Sequence, residues 1–215
     1  MKIKNAIKYY YEKIKILFFN KKNKQKVINY IDYVNLQKEK TLNPEKINKW
    51  LNEEWDIKLN GFKKMFSRHE KIIVDKKNAL LLGSRTGQEV LAIQQYGIKA
   101  IGIDLVSFPP YTIEGDVHNM TFPDNNFDFC FTNIYDHILD PKAFVKEISR
   151  VMLRSGIFIL HITIGDNIDK YSVNFVYDID STILLFENHS FKLLSKKRIS
   201  NEYDSMNMEL VFSKN

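Results

Sequence analysis

The chain has 215 residues, of which 44% are hydrophobic and 27% are charged, and its formal net charge is +6. This size and composition exclude a chain that is disordered throughout, and they fit one α/β domain with an appendage. The apolar runs are far shorter than the roughly 20 residues that cross a bilayer. Cys130 is the only cysteine, which excludes an intramolecular disulfide. Cys130 lies between two phenylalanines, which indicates a buried thiol, and the sequence starts without a cleavable signal pattern. Both features predict a cytoplasmic protein.

The positive charge is concentrated in an N-terminal arm. Residues 1–40 hold 11 Lys and 3 acidic residues, whereas residues 41–215 hold 21 Lys and Arg against 23 acidic residues. The whole sequence is rich in Lys, Asn and Ile, so charge by itself assigns no function. No specific nucleic-acid signal accompanies it.

The arm has the spacing of an amphipathic helix. Apolar positions recur at three- and four-residue steps from Ile3 to Phe18, with lysines between them. We expect this helix to pack on the core. The alternatives are a lid over a substrate or a helix that lies on a partner or membrane surface. Asn43 and Pro44 then predict the start of a second helix, and Gly61 predicts its end or a bend.

From about residue 78, short apolar runs alternate with helical segments. The runs cover residues 79–82, 100–103, 127–131 and 157–162, and the helices are predicted over residues 89–94 and 141–152. Strands that alternate with helices indicate a largely parallel sheet, because parallel neighbours need a crossover connection. Later runs at 175–177, 191–194 and 208–212 predict one helix-flanked strand and a closing antiparallel pair.

Two groups of candidate residues lie at the ends of predicted strands, and a third precedes the loop that leads into the strand predicted at residues 127–131. The first is the turn Gly83-Ser84-Arg85-Thr86-Gly87, whose glycines allow tight backbone geometry and close approach of a ligand. Asp104 ends the second strand, where a carboxylate can accept hydrogen bonds from both hydroxyls of a ribose. Asp116, in Gly115-Asp116-Val117-His118, is a candidate acceptor for an adenine amino group.

The order of these groups resembles that of class I S-adenosylmethionine-dependent methyltransferases over about residues 78–162. A Pro-turn-Phe-Asp stretch at residues 123–128 and the segment from Arg150 to Gly156 extend the match. The strings at Gly83–Glu89 and Asp136-His137 are similar to a methyltransferase type 11-like subfamily. This resemblance implies a Rossmann-like fold, with a mostly parallel seven-stranded sheet, an antiparallel C-terminal strand and N-terminal helices.

The resemblance also implies the domain division and the cofactor. Residues 1–68 are predicted to form a helical arm or cap, and residues 69–215 an S-adenosylmethionine-binding domain. S-adenosylmethionine is the implied cofactor and S-adenosylhomocysteine the product. The implied cofactor-binding residues are Gly83, Ser84, Arg85, Thr86, Gly87, Asp104, Leu105, Asp116, Val117, His118 and Asn133.

Two positions depart from the family pattern. Leu81 stands where the family usually has an acid, and Arg85 where it has a central glycine. Arg85 has two interpretations. It is either a clamp for the methionine carboxylate or an anionic substrate group, or an arginine at the helix start that reaches solvent or a nearby acid.

Residues 133–137 follow the strand predicted at residues 127–131 and are the predicted acceptor side. His137 is the first candidate for a general base because an unperturbed histidine has a pKa of about 6.5. Asp136, His118 and His161 are further titratable candidates, with a structural role as the alternative for each histidine. Only a hydroxyl or protonated amine acceptor needs a base, since alignment of the reactants supplies much of the rate.

We therefore predict methyl transfer to a hydroxyl or amine of a small polar acceptor, with a sugar or phosphorylated metabolite as the favoured class. A protein or RNA acceptor recruited by the arm is an alternative. The rival functions are a non-catalytic Rossmann-like binding or scaffold protein and an NAD-dependent oxidoreductase. The oxidoreductase would need a Gly-x-Gly-x-x-Gly loop that the turn at Gly83 lacks. The sequence has no metal-site spacing, and it leaves the oligomeric state open.

Overall fold

The computed structural model describes residues 23–165, 169–200 and 205–215. The amphipathic helix predicted between Ile3 and Phe18 lies outside these residues and stays a prediction. The N-terminal elements are strand β1 (Lys24–Gln25) and helices α1 (Tyr30–Leu42), α2 (Pro44–Asn48), α3 (Trp55–Ser67) and α4 (Glu70–Ile73). A π-helical turn, Lys49–Glu53, lies between α2 and α3.

The remaining elements include all the predicted strands and helices and one strand, β4 (Thr112–Glu114), that lies outside the predicted runs. They are β2 (Asn78–Leu82), α5 (Gln88–Gln94), β3 (Lys99–Asp104), β4 (Thr112–Glu114), β5 (Phe127–Thr132), α6 (Pro141–Val151), β6 (Met152–Ile162), β7 (Asn174–Phe175), α7 (Ile179–Glu187), β8 (Phe191–Arg198) and β9 (Met208–Lys214). A single 3₁₀ turn, Tyr135–His137, follows β5. Among the described residues, no helix is both long enough and apolar enough to span a membrane.

Seven strands form one sheet in the order β4-β3-β2-β5-β6-β9-β8. The pairs from β4 to β6 are parallel, and β9 is antiparallel to both of its neighbours. This confirms the predicted mostly parallel seven-stranded sheet with an antiparallel C-terminal strand. The run near residue 175 forms β7, which pairs with β1 in a separate two-stranded sheet.

Helices cover both faces of the sheet. Leu80, Leu82 and Cys130 belong to the apolar cluster that includes α6 and α7. Leu81 and Phe131 belong to the cluster on the opposite face, with α3 and α5. Because both faces of the central strands are buried, their sequences are continuous apolar runs and not alternating patterns.

The first helices show one confirmed boundary and one wrong one. The Asn43 side chain accepts a hydrogen bond from the Lys46 N–H and caps α2, with Pro44 at the first helical position, as predicted. Gly61 is predicted to end or bend the segment, and the predicted end is wrong, because α3 continues through Gly61 to Ser67. Glycine inside a helix costs about 1 kcal/mol, whereas burial of each large apolar side chain on this helix contributes roughly 1.5–3 kcal/mol. Packing therefore decides where the helix ends.

The C-terminal end of α3 is anchored to the sheet by Glu209 on β9. The Glu209 carboxylate accepts a hydrogen bond from Arg68 Nη2 at 3.0 Å, and His69 Nε2 lies 3.1 Å from it. His161 Nε2 contacts the same carboxylate at 2.8 Å. Burial opposes ionisation of Glu209, but the hydrogen bond with His161 and the close contact with His69 outweigh it and hold the pKa well below its usual range. His161 thus belongs to a buried cluster that fixes α3.

We expect Glu209→Gln to lower the free energy of unfolding by about 2 kcal/mol at pH 7, since a hydrogen bond to a charged group contributes roughly 1.5–3 kcal/mol. The folded-state pKa is below the unfolded one, so this stabilisation is present above about pH 4.5 and is lost as the pH falls towards the folded-state pKa. Urea denaturation of both proteins at pH 7 and pH 3 measures it. An equal difference at the two pH values would contradict a role for the charge.

Candidate active site

Two adjoining cavities lie at the carboxyl ends of β2, β3 and β5, the edge where open α/β sheets bind ligands. The larger has a volume of about 450 Å³ and the smaller about 50 Å³. Five residues line both cavities: Lys40, Gly83, Arg85, Ile134 and His137. The two cavities are therefore neighbouring parts of one site.

The turn after β2 needs a glycine at each end. Gly83 has a φ of +73° and Gly87 a φ of +86°, in the left-handed region that side chains disfavour. A Cβ atom on Gly83 would lie 2.5 Å from Ile134 Cδ1, and one on Gly87 would lie 2.3 Å from Tyr111 Cβ. Gly83 lines both cavities, whereas Gly87 lines neither of them.

Arg85 occupies the position where the resemblance leads us to expect a glycine. Its φ of +43° is left-handed, which costs a residue with a side chain roughly 1–2 kcal/mol. Its N–H donates to Asp104 Oδ2 at 2.9 Å, and its guanidinium lies 4.1 Å from the ring centre of Trp50. These contacts offset the strain and hold the guanidinium at the boundary of the two cavities. A backbone strained in this way is typical of a functional site.

Asp104 lines the smaller cavity together with Leu105, Asp116 and Val117. Besides Arg85, the N–H of Val106 donates to its carboxylate at 3.2 Å. Burial raises the pKa of Asp104, although the Arg85 charge and the backbone N–H groups oppose that change. A carboxylate has about four acceptor sites, so it can still accept hydrogen bonds from ligand hydroxyls.

Helix α1 covers the smaller cavity. The Tyr30 hydroxyl donates to Asp116 Oδ2, and the Tyr33 ring meets the His118 ring edge-on with 5.6 Å between centres. Asp116 Oδ1 accepts hydrogen bonds from the N–H and Nδ1 of His118 at 2.9 and 2.8 Å. Burial raises the pKa of Asp116, but these hydrogen bonds hold it below its usual range. His118 lines neither cavity, and its Nε2 accepts from the Asp140 N–H, so it positions Asp116.

The larger cavity contains the predicted acceptor side. Asp136 is 6% exposed, and its Oδ2 accepts from the Ser172 hydroxyl at 2.7 Å. Its Oδ1 is buried and, among the described residues, has no hydrogen-bond partner. His137 Nδ1 lies 3.2 Å from the Tyr171 carbonyl, to which it donates, and Nε2 accepts from Lys40 Nζ at 3.1 Å. Burial lowers the pKa of His137 despite the charge of Asp136, so its ring is neutral.

Three other predicted residues, Ser84, Thr86 and Asn133, also line the larger cavity. The Ser84 hydroxyl donates to the Leu81 carbonyl at 2.7 Å, and the Thr86 hydroxyl to Gln88 Oε1 at 2.7 Å. Their side-chain hydroxyls therefore shape the turn.

Sequence reasoning missed the side chains that the N-terminal helices bring to the site. Lys40 of α1 is only 9% exposed and donates to Asp169 at 2.5 Å as well as to His137. Lys46, Trp50 and Lys58 line the larger cavity from α2, the π turn and α3. Nothing in a lysine-rich sequence distinguishes these lysines. Glu89 was also missed, although an acid in the first turn of the helix after a glycine turn is a detectable signal.

Residues 80–160, which include most of β2, all of β3 and β5, and the cavity-lining loops after these strands, match the family model described as a methyltransferase domain. The chain contains a class I S-adenosylmethionine-dependent methyltransferase domain. S-adenosylmethionine is its cofactor. This assignment favours methyl transfer over the oxidoreductase and scaffold alternatives.

Solved structures share the fold of this methyltransferase at low sequence identity. The 1,6-didemethyltoxoflavin-N1-methyltransferase of Burkholderia thailandensis, solved with 1,6-didemethyltoxoflavin and S-adenosylhomocysteine, gives a TM-score of 0.69 at 12% identity, over 88% of this chain and 92% of that one. A protein of Pyrococcus horikoshii gives a TM-score of 0.61 at 17% identity, over 78% of this chain and 96% of that one. An S-adenosylmethionine-dependent methyltransferase of Clostridium acetobutylicum gives a TM-score of 0.59 at 12% identity, over 80% of this chain and 97% of that one. No curated protein matches the sequence.

Proposed function

We propose that this methyltransferase acts on a hydroxyl or amine of a small acceptor that carries an anionic group, and that the acceptor binds in the larger cavity. One observation carries the proposal. Among the described residues, the cavity is lined by two cations that no carboxylate pairs with, Lys46 and Arg85, and by Asp136, whose buried Oδ1 has no hydrogen-bond partner. Such a site can bind negative charge and accept a proton.

We place the cofactor across both cavities. Asp104 would accept hydrogen bonds from the ribose hydroxyls, Asp116 from the adenine amino group, and Arg85 would bind the methionine carboxylate. The smaller cavity, at about 50 Å³, is too small for an adenosyl group, so Tyr30 and Tyr33 of α1 must move aside. When bound, S-adenosylmethionine supplies a methyl group on a sulfonium, which needs the nucleophile in line with the carbon–sulfur bond.

Lys46 is the residue that we assign to the anionic group of the acceptor. Its Nζ lies 4.3 Å from the ring centre of Tyr171, which holds the ammonium at the cavity wall. The other lysines of this wall are already paired. Lys49 and Lys58 share Glu54 at 2.9 and 2.7 Å, and Lys40 is bound to Asp169. A carboxylate or phosphate on the acceptor would give Lys46 its partner.

Asp136 is the residue that we assign to the acceptor proton. Its Oδ1 needs a donor, and a hydroxyl or ammonium of the acceptor would supply one. Both ring nitrogens of His137 already have partners, so a base role for His137 requires Lys40 to release Nε2. We therefore place Asp136 at the proton and His137 beside it, with the Asp136 Oδ2 atom 3.5 Å from His137 Nε2.

An acceptor panel built from matched pairs tests the proposed function. Each anionic compound is paired with its neutral counterpart, for example a sugar phosphate with the sugar and a hydroxy acid with its amide. S-adenosylhomocysteine formation is measured for each. We expect turnover to favour the anionic member of a pair. Equal turnover within pairs would contradict an anionic acceptor, and turnover only with protein or RNA would support the macromolecular alternative.

Lys46→Ala should raise the KM for the anionic acceptor roughly tenfold, with a smaller change in kcat, because one charge-assisted contact contributes about 1.5 kcal/mol or more. Lys170→Ala is the matched control. Lys170 Nζ lies 4.7 Å from the same Tyr171 ring but does not line the larger cavity. We expect the KM of the control to stay within twofold of the parent enzyme. Equal KM values for the two variants would overturn the assignment of Lys46.

A further inference from the structure

The methionyl end of the cofactor carries an ammonium as well as a carboxylate, and both need partners in a buried site. Arg85 is suited to the carboxylate only. The family usually has an acid at position 81, but Leu81 is fully buried there, inside the apolar cluster between β2 and helices α3 and α5. Its side chain offers the ammonium no acceptor.

Three acidic residues line the larger cavity: Glu89, Asp136 and Asp169. Asp169 is held by Lys40, and Asp136 lies on the acceptor side after β5, bound to Ser172. Glu89 lies in the first turn of α5, four residues after Arg85, and is 5% exposed. Among the described residues, no ion pair engages its carboxyl. It is the acid closest in sequence to the turn that holds the cofactor.

The surroundings of Glu89 suit a carboxyl that ionises when a cation arrives. It faces the charges of Arg85 in the turn, Lys58 on α3 and Asp104 on β3, and its own N–H donates to it. Burial raises its pKa to about 8, which these two cations and the N–H only partly oppose. The carboxyl is therefore mostly neutral at pH 7 without a ligand. An ammonium next to it would favour the carboxylate.

We propose that Glu89 binds the α-ammonium of the methionyl group, in place of the acid that the family has at position 81. Arg85 and Glu89 then form a two-sided clamp for the amino-acid end. The proposal rests on the proposed function, since it assumes that this end lies in the larger cavity. Its failure is separable from that of the cofactor assignment when ligands with and without the amino-acid end are compared.

Calorimetry with S-adenosylhomocysteine and 5′-methylthioadenosine makes that comparison, because the second ligand lacks the amino-acid end. In Glu89→Gln we expect S-adenosylhomocysteine to bind roughly tenfold more weakly and 5′-methylthioadenosine to bind unchanged. The variant should fold, since glutamine resembles the neutral carboxyl. Glu54→Gln is the matched control. Glu54 also has a carboxyl that contacts Lys58, but Glu54 does not line the cavity.

Proton release is the second measurement. Titrations at pH 6.5 in buffers of different ionisation enthalpy should show that the parent protein releases about one proton for each S-adenosylhomocysteine bound. The number of protons released should fall as the pH approaches 9. Glu89→Gln should release none. Equal affinity loss for both ligands, or unchanged preference for S-adenosylhomocysteine in Glu89→Gln, would overturn the role of Glu89. Failure of both ligands to bind the parent protein would overturn the cofactor site itself.

Discussion

Asp104→Ala is expected to weaken S-adenosylhomocysteine binding roughly 100-fold. The Asp104 carboxylate lines the smaller cavity at the end of β3. Because the site is buried, the ribose hydroxyls would lose their acceptor in the alanine variant without another group to replace it. Two hydrogen bonds from ribose hydroxyls to a carboxylate contribute about 3 kcal/mol together, which is about two factors of ten in affinity. Calorimetry measures the change directly.

The same carboxylate also holds the turn through the Arg85 N–H, so loss of binding has two sources. Asp104→Asn separates them, because the amide oxygen still accepts from that N–H. We expect the Asn variant to keep the unfolding temperature of the parent and to lose about tenfold in affinity. Parental affinity in the Ala variant would refute the ribose assignment.

Asp136→Asn is expected to lower kcat for a hydroxyl acceptor roughly 100-fold or more, since a positioned base contributes 10²–10⁴-fold. The amide leaves Oδ1 without its charge or basicity, while the contact with Ser172 persists. Affinity for S-adenosylhomocysteine should change little. Steady-state kinetics with the acceptor found by the panel, together with calorimetry, measures both quantities.

Ser172→Ala serves as the control for Asp136→Asn. It removes the hydrogen bond to Oδ2 and leaves the buried Oδ1 in place, so we expect less than a tenfold change in kcat. The kcat of His137→Gln, measured in the same way, tests His137 as the alternative base. If His137→Gln lowers kcat more than Asp136→Asn does, the proton belongs to His137 and our assignment is wrong.

The sequence by itself determined the frame of the site. Continuous apolar runs predicted the buried central strands, and Asn43 with Pro44 predicted the start of α2, because these signals depend on local chain properties. The glycine turn and Asp104 were placed correctly at the strand ends because the sheet's topology fixes where consecutive strands end. The cofactor class followed from the same stretch through its resemblance to known methyltransferases.

Only the tertiary structure decided which side chains complete the site. Lys40 and Lys46 reach the cavities from helices that end 35 residues or more before Gly83, and no local pattern separates them from the other lysines. Packing also carried α3 through Gly61, held Arg85 at a positive φ, and buried Glu89 at the wall of the larger cavity. These outcomes depend on contacts between residues distant in the chain, whose free energies outweigh local preferences of about 1 kcal/mol.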